Sequence, residues 1–160
     1  MRIERASVDR VDEAASLFRG MVEHHRQVVG GVWPVRPADD AWLVRREQYV
    51  EWLSGVDAWM LLAFDGDGSP PIGYAVLRLS PPGATWALGD RVGELESLAV
   101  APGSQGRGVG TALVEACRNI CREHGVTHWV VDVVDVNSDA IRMYERQGFR
   151  PYYRLLMSEV

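Results

Sequence analysis

Residues 94 to 111 read Glu-Leu-Glu-Ser-Leu-Ala-Val-Ala-Pro-Gly-Ser-Gln-Gly-Arg-Gly-Val-Gly-Thr, and the organisation of the whole chain can be worked out from them. Up to Leu98, polar or small residues alternate with apolar ones, and the next residues are apolar, which indicates a strand that enters a core. Pro102 and Gly103 end that strand. From Val109, which lies between Gly108 and Gly110, apolar residues recur at helical spacing. These residues therefore predict a strand, a glycine-rich turn and a helix.

The glycine-rich turn has the chemistry of a phosphate site. The N–H groups in the first turn of a helix have no intrahelical partner and carry the positive end of the helix dipole, and glycines let a ligand approach them closely. The turn lacks the Gly-Lys-Ser/Thr ending of a P-loop and the G-x-G-x-x-G spacing of a dinucleotide-binding turn. Its own spacing is Gln105-x-x-Gly108-x-Gly110. The alternative interpretation is a turn that joins strand to helix without binding any ligand.

Hydrophobic periodicity and turn residues predict the remaining elements. Before residue 94 we expect a strand over 2–8, a helix that begins at Asp9 or Asp12, a second helix that Asp39 or Asp40 caps, and a hairpin of strands 58–64 and 72–79. After the glycines we expect a helix that ends before Gly125, a strand over 128–134 buried on both faces, a helix that Asn137 or Ser138 caps, and a last strand over 152–158. Trp42, Tyr49 and Trp52 recur at helical spacing on the second helix, where they either line a pocket or pack onto the sheet.

A second motif lies in the predicted helix that starts at Asn137. Residues 137 to 149 follow the pattern N-x-x-A-x-x-x-Y-E-x-x-G-F, with Asn137 first and Tyr144 in the middle. Together with the glycine turn, this motif resembles the two signatures of the GCN5-related N-acetyltransferases, in the same order along the chain. The resemblance is strong over residues 94 to 150, whereas the first 93 residues match only in the order of their predicted elements.

The resemblance implies an α/β fold and a single N-acetyltransferase domain over residues 1–160. In this family a mixed, mostly antiparallel sheet has helices on both faces. Two central parallel strands splay apart, and here they would be residues 94–100 and 128–134. Acetyl-CoA, the co-substrate, would lie between these two strands.

The resemblance also assigns residues to the parts of acetyl-CoA. The pantetheine arm would hydrogen-bond to the backbone of the first splayed strand as an added strand does, and the pyrophosphate would meet the N–H groups of the turn, with Arg107 as a counter-charge. Asn137 would contact the cofactor from the end of the other strand. The residues implied in binding are Leu98, Ala99, Val100, Gln105, Gly106, Arg107, Gly108, Val109, Gly110, Thr111 and Asn137.

Acetyl transfer to an amine needs a base, because a free alkylamine has a pKa near 10.4 and is protonated at neutral pH. Glu94 and Glu96 lie on one side of a regular strand, and Glu94 aligns by its offset from Val100 with the base of histone-type family members. Glu94 is therefore the first candidate for the base and Glu96 the second, because a β-bulge near Ser97 could redirect either side chain. Tyr144 would protonate the departing thiolate, and a backbone N–H near Leu98 or Val100 would hold the oxyanion. The alternatives are solvated strand residues for the acids and core packing for Tyr144.

Composition narrows the class of partner. The formal net charge of -5 argues against nucleic-acid binding, no apolar run is long enough to span a bilayer, and the N-terminus has no apolar signal core, so we expect a cytoplasmic protein. Cys117, Cys121 and His124 could imitate three metal ligands, but they lack a fourth, and we assign no metal. We expect a small-molecule amine acceptor. A protein N-terminus or lysine, a non-catalytic acyl-CoA sensor and a homodimer stay open.

Overall fold

A five-stranded mixed sheet in the order β1-β2-β3-β4-β5 forms the centre of the computed structural model, which describes residues 1–160. The strands are β1 Arg2–Ala6, β2 Ala58–Phe64, β3 Gly73–Ser80, β4 Val92–Val100 and β5 Trp129–Val131. The helices are α1 Ala15–Val29, α2 Ala38–Leu53, α3 Val109–Glu123 and α4 Ser138–Arg146, with 3₁₀ segments at Val8–Ala14 and Pro102–Ser104. Neighbouring strands are antiparallel except for β4 and β5, which are parallel. The predicted fold class is confirmed.

Each face of the sheet is covered by one pair of helices. Alternate residues of β2 and β3, such as Leu62 and Tyr74, pack against α1 and α2 in one apolar cluster. The residues between them, such as Leu61 and Leu77, pack against α3 and Tyr144 of α4 in the other cluster. Because successive side chains of a strand point to opposite faces, the central strands are buried on both sides. None of the helices has the length and apolar content needed to span a bilayer.

Helix α3 lies unusually close to the sheet at two glycines. A Cβ atom at Gly93 would lie 2.8 Å from Sγ of Cys121 and 2.9 Å from Cβ of Trp129. A Cβ atom at Gly73 would lie 2.9 Å from Cγ1 of Val109. The two glycines therefore allow both ends of α3 to rest directly on β3 and β4, and this contact fixes where the helix begins relative to the end of β4.

The starts of the first two helices differ from the prediction. A 3₁₀ segment precedes α1, and α2 begins at Ala38 after Pro37 with no side-chain cap. The aspartates expected to begin or cap these helices instead bind arginines, Asp12 with Arg46 and Asp39 with Arg19. The helices after the glycine turn behave as predicted: Gly125 follows the end of α3, and Oδ1 of Asn137 accepts a hydrogen bond from the N–H of Ala140.

Two strand predictions at the C-terminal end are wrong. The strand expected over 128–134 is only Trp129–Val131, which forms one edge of the sheet, and its side chains are half-buried and not buried on both faces as expected. The strand expected over 152–158 does not form: residues 150 to 160 have no regular structure and are exposed. Phe149 packs on Trp129, and the ring of Tyr152 contacts that of Trp86, in the loop between β3 and β4, at a tilted angle. The last residues of the chain therefore run past the end of the sheet and do not pair with β5.

We expect Gly93→Ala to lower the free energy of unfolding by about 1–3 kcal/mol, because the new methyl group forces α3 or β5 away from the sheet. Urea unfolding measures the effect. Gly20→Ala is the matched control: no atom lies within 4 Å of a Cβ at this position in α1, and removing a helical glycine should raise stability by about 0.5–1 kcal/mol. Equal unfolding midpoints for Gly93→Ala and the wild type would contradict the close approach of α3.

Candidate active site

One edge of β4 is open over its second half. The parallel pairing between β4 and β5 begins at Gly93 with Trp129 and ends at Leu95 with Val131. From Glu96 to Val100, β4 has a strand beside it only on the β3 side. The backbone groups on the open edge are therefore available to an extended ligand, which can pair with them as an added strand does. The predicted splay between the two parallel strands is present in the structure.

The open edge leads directly into the glycine turn. The backbone N–H groups from Gly106 to Thr111 donate to no carbonyl or side-chain oxygen within the chain, and the first bond of the helix is from Ala112 to Gly108. These groups lie at the N-terminus of α3, the positive end of a fifteen-residue helix. Such a row of free donors suits an anion, and a pyrophosphate fits it.

The backbone of the turn depends on two of its glycines. Gly106 and Gly108 have φ values of 73° and 80°, which disfavour any residue with a side chain. Gly110 differs, because its φ is ordinary and a Cβ would make only normal contacts, 3.7 Å from Val100 and 3.8 Å from Leu98. The fold therefore requires the first two glycines, whereas nothing within the chain requires the third.

Polar side chains brace the turn against its neighbours. The guanidinium of Arg107 donates a hydrogen bond of 2.7 Å to Oδ2 of Asp65, in the turn between β2 and β3, and this contact holds the pKa of Asp65 below its usual value. The predicted counter-charge is thus already paired, although both side chains are about half exposed. Nε2 of Gln105 donates a weak hydrogen bond of 3.4 Å to the carbonyl of Val100.

A β-bulge lies where the open edge begins. Val76 of β3 faces Ser97 and Leu77 faces Leu95, so Glu96 is the additional residue of β4. The bulge occurs beside the position that the sequence suggested. Ser97 is buried and accepts a hydrogen bond of 2.7 Å from the hydroxyl of Tyr49, which lies 3.2 Å from the hydroxyl of Tyr74. This buried network ties the bulge to α2 and turns Ser97 and Glu96 toward the same side.

Glu94 and Glu96 point to the face of the sheet that α2 covers, and two arginines meet them there. Arg78 of β3 lies 3.8 Å from Glu94 and 3.2 Å from Glu96. Arg45 of α2 lies 3.6 Å from Glu96. Both guanidinium groups lie over the ring of Trp52, Arg78 at 4.3 Å and Arg45 at 5.6 Å from its centroid. The two acids, the two arginines and Trp52 are called the charged cluster below.

The two acids have different surroundings within the charged cluster. Glu94 accepts a hydrogen bond from the hydroxyl of Ser80 and lies in the part of β4 that pairs with β5. The side chain of Glu96 is 19% exposed, and burial raises its pKa, with Arg78 acting in the opposite direction and Glu94 adding to the rise. Glu96 is also the first residue of the open edge.

Asn137 and Tyr144 lie on the opposite side of the sheet, at and within α4. Both are buried, and Asn137 caps the helix through its oxygen, which leaves its amide N–H groups without a partner in the chain. Burial raises the pKa of Tyr144 to about 12, and Cys117 adds to the rise, so the phenol is protonated at neutral pH. Its hydroxyl makes no hydrogen bond in the chain and is not a fully enclosed polar atom, so it faces accessible space.

No pattern in the sequence points to the two arginines of the charged cluster. Arg78 faces Glu94 across the β3–β4 pairing, and only the strand register reveals this. The aromatic residues of α2 pack in the apolar cluster on this face of the sheet, as one of the two interpretations expected. Trp42 and Tyr49 are buried in it, and Trp52 is half-buried beside them and also lies under the guanidinium groups.

Sequence comparison gives a family and distant relatives. The sequence model of the acetyltransferase (GNAT) family matches residues 18–149. A mycothiol acetyltransferase from Beutenbergia cavernae is 35% identical over 100 residues, which make up 62% of this chain and 30% of that protein. The chain therefore spans less than a third of the length of this curated relative.

Structure comparison finds the same fold over the whole chain. The tetramutant of the BH1408 protein from Bacillus halodurans has a TM-score of 0.81 at 22% identity, with all of both chains covered. The aminoglycoside acetyltransferase AAC(6')-Iy, solved with a bisubstrate analogue of CoA and acetylneamine, has a TM-score of 0.72 at 22% identity and covers 99% of this chain and 97% of its own.

Proposed function

Because the chain belongs to the acetyltransferase (GNAT) family, we propose that it transfers the acetyl group of acetyl-CoA to the primary amine of a small molecule, by direct attack within a ternary complex. The observation that carries the proposal is the open edge of β4 running straight into the free N–H groups at the start of α3. Acetyl-CoA is the co-substrate. The names of the relatives, a mycothiol acetyltransferase and an aminoglycoside acetyltransferase, support a small-molecule acceptor only loosely.

The residues of the open edge and the turn fit the two polar parts of acetyl-CoA. Leu98 and Val100 would pair with the amides of the pantetheine arm, with Ala99 between them, because the N–H of Ala101 donates to Ile72 on the β3 side and backbone groups alternate along a strand. The turn from Gln105 to Thr111 would hold the pyrophosphate. Arg107 would exchange Asp65 for the pyrophosphate, whose two phosphates together carry two negative charges, against the single charge of the carboxylate. Asn137 would donate its free amide N–H to the cofactor from the other side of the splay.

We assign the base to Glu96, although the offset from Val100 favours Glu94. Glu96 lies at the point where β4 and β5 part, so an amine that reaches the open edge meets it first. Its raised pKa makes it a better proton acceptor than an ordinary carboxylate. Glu94 is engaged by Ser80 and would support Glu96 through its negative charge.

Two other groups act on the thioester, one at its carbonyl oxygen and one at its sulfur. Acetyl-CoA supplies its acetyl group as an activated thioester. A backbone N–H of Leu98 or Val100 on the open edge would hydrogen-bond to the carbonyl oxygen and stabilise the negative charge that develops there. The hydroxyl of Tyr144, which is protonated at neutral pH, would donate its proton to the departing sulfur.

We expect Gly110→Asp to weaken acetyl-CoA binding by roughly 100-fold, because it places negative charge where the pyrophosphate would lie. The fold should tolerate the change, since the site has space for a side chain and an acidic residue at a helix N-terminus is stabilising. Calorimetry measures the affinity, and Gly20→Asp in α1 is the control. If the folded Gly110→Asp variant binds acetyl-CoA as tightly as the control, the turn is not the pyrophosphate site.

We expect Glu96→Gln to lower kcat/KM most at low pH and to recover as the pH rises. The amine then loses its proton to solvent, and the base is no longer needed. In the wild type, activity should fall as the pH drops through the raised pKa of Glu96, because the carboxylate becomes protonated. Release of thiol from acetyl-CoA measures the rates, with Glu94→Gln as the comparison. A loss confined to Glu94→Gln would return the role of base to Glu94.

We expect Tyr144→Phe to reduce kcat by about 10²-fold, the lower end for general acids, because a CoA thiol is a fair leaving group without help. The ring and its packing against Phe149 are kept, so stability and acetyl-CoA affinity should change little. Turnover and affinity are measured together, with Tyr153→Phe on the exposed C-terminal segment as the control. Full activity would make Tyr144 a packing residue, and weaker binding with normal kcat would make it a binding residue.

A further inference from the structure

The two arginines of the charged cluster have unused hydrogen-bonding capacity. The side chains of Arg45 and Arg78 are 28% and 27% exposed, and both lie within 4 Å of a carboxylate oxygen. Yet neither guanidinium donates a hydrogen bond to any group of the chain, because the contacts at 3.6 Å and 3.2 Å lack the required alignment or distance. A half-buried guanidinium group normally has its planar N–H donors satisfied.

Arginines of similar burial elsewhere in the chain do satisfy their donors. Arg10, at 31% exposure, donates to both Glu4 and Glu13. Arg118, at 24% exposure, donates to Glu115 and to the carbonyl of Gln147. Arg45 and Arg78 are therefore exceptions, and both exceptions lie over the same aromatic ring.

These two guanidinium groups also lie next to the reacting centre of the proposed function. Both approach the carboxylate of Glu96, the residue at which β4 and β5 part. Cation–π contacts with Trp52 help to hold both groups in place, and they leave the N–H groups at the guanidinium edges available to a partner.

We propose that Arg45 and Arg78 form a subsite for a carboxylate of the acceptor, so that the acceptor is an amino acid or a similar compound whose amine and carboxylate are separated by few bonds. The inference rests on the proposed function and names its substrate class. Two guanidinium groups can hold a carboxylate through paired N–H···O bonds. The amine and the carboxylate of the acceptor must lie close together, because the amine has to reach Glu96 while the carboxylate binds arginines that contact the same residue.

The charge of the cluster argues against a polycationic acceptor. Glu94 and Glu96 carry two negative charges, and Arg45 and Arg78 carry two positive charges, so the sum is zero. A polyamine gains little from such a surface, because its additional ammonium groups would lie beside the two guanidinium groups. The ammonium group of a zwitterionic acceptor would face the two acids, and its carboxylate would face the two arginines. That carboxylate would offset the positive charge of the arginines beside Glu96 and so make Glu96 a better base.

The test compares matched acceptors that differ only in the carboxylate. Free L-amino acids and their carboxamides are offered with acetyl-CoA, beside spermidine and neamine, and rates are expressed per concentration of free amine. Binding of the same pairs to the CoA-saturated protein is measured by calorimetry. The variants are Arg45→Gln, Arg78→Gln and Arg78→Lys. Arg78→Lys keeps the positive charge but lacks the paired N–H donors of a guanidinium group. Arg46→Gln is the control, since Arg46 lies on the same helix but pairs with Asp12 at the surface.

In the wild type we expect the free acid to be preferred about ten- to a hundredfold over its amide in affinity and in kcat/KM. Both Gln variants should lose that preference, and the loss should appear in KM and in the affinity of the free acid measured by calorimetry. Arg78→Lys should keep part of the preference, and Arg46→Gln should keep all of it.

Amides or polyamines that serve as well as free amino acids would overturn the proposal, as would a preference that survives in both Gln variants. Acetylation of polyamines alone would overturn the subsite and leave the proposed function intact. Tighter binding of the free acids, lost in the Gln variants, without acetylation of any amine would support the subsite and refute the proposed function.

Discussion

The open edge of β4 is the constraint from which the rest of the site follows. β3 pairs with β4 along its length, whereas β5 pairs with it only from Gly93 to Leu95. Backbone N–H and C=O groups without partners are costly unless water or a ligand meets them. An extended amide chain can satisfy them, and the same path continues into the free N–H groups of the glycine turn. Glycines at the α3 contact make this continuity possible, because they seat the helix directly on the sheet beside the end of β4.

The two faces of the sheet carry different groups at the point where the strands part. On the α2 face, the bulge at Glu96 and the buried hydroxyls of Tyr49 and Ser97 fix the charged cluster beside the open edge. On the α4 face, Tyr144 is held in the apolar cluster with its hydroxyl toward accessible space. In the proposed reaction, the base and the acid would therefore approach one thioester from opposite faces of the sheet, the base at the attacking amine and the acid at the departing sulfur.

The C-terminal end shows how far local patterns can mislead. Residues 128–134 and 152–158 both have the composition of strands, yet only Trp129–Val131 pairs. A strand needs a neighbour, and the contacts of Phe149 with Trp129 and of Tyr152 with Trp86 direct the chain away from the edge of β5. The aspartates expected at the helix starts were likewise drawn into ion pairs with residues distant in sequence. Local sequence indicated which structures these residues are able to form. Contacts with residues distant in the chain then decided which of those structures are present.

The sequence by itself determined the order of the elements from β1 to α4, the glycine turn at the start of α3, the cap at Asn137 and the family, because these depend on side-chain periodicity and on spacings of a few residues. Only the tertiary structure decided where β4 and β5 part, which acid lies at that point, and that Arg45 and Arg78 lie over Trp52 beside it. Those features depend on strand register and on helix packing between residues far apart in the chain. A slip of one residue would turn Arg78 to the other face of the sheet, and no local pattern records which register is adopted.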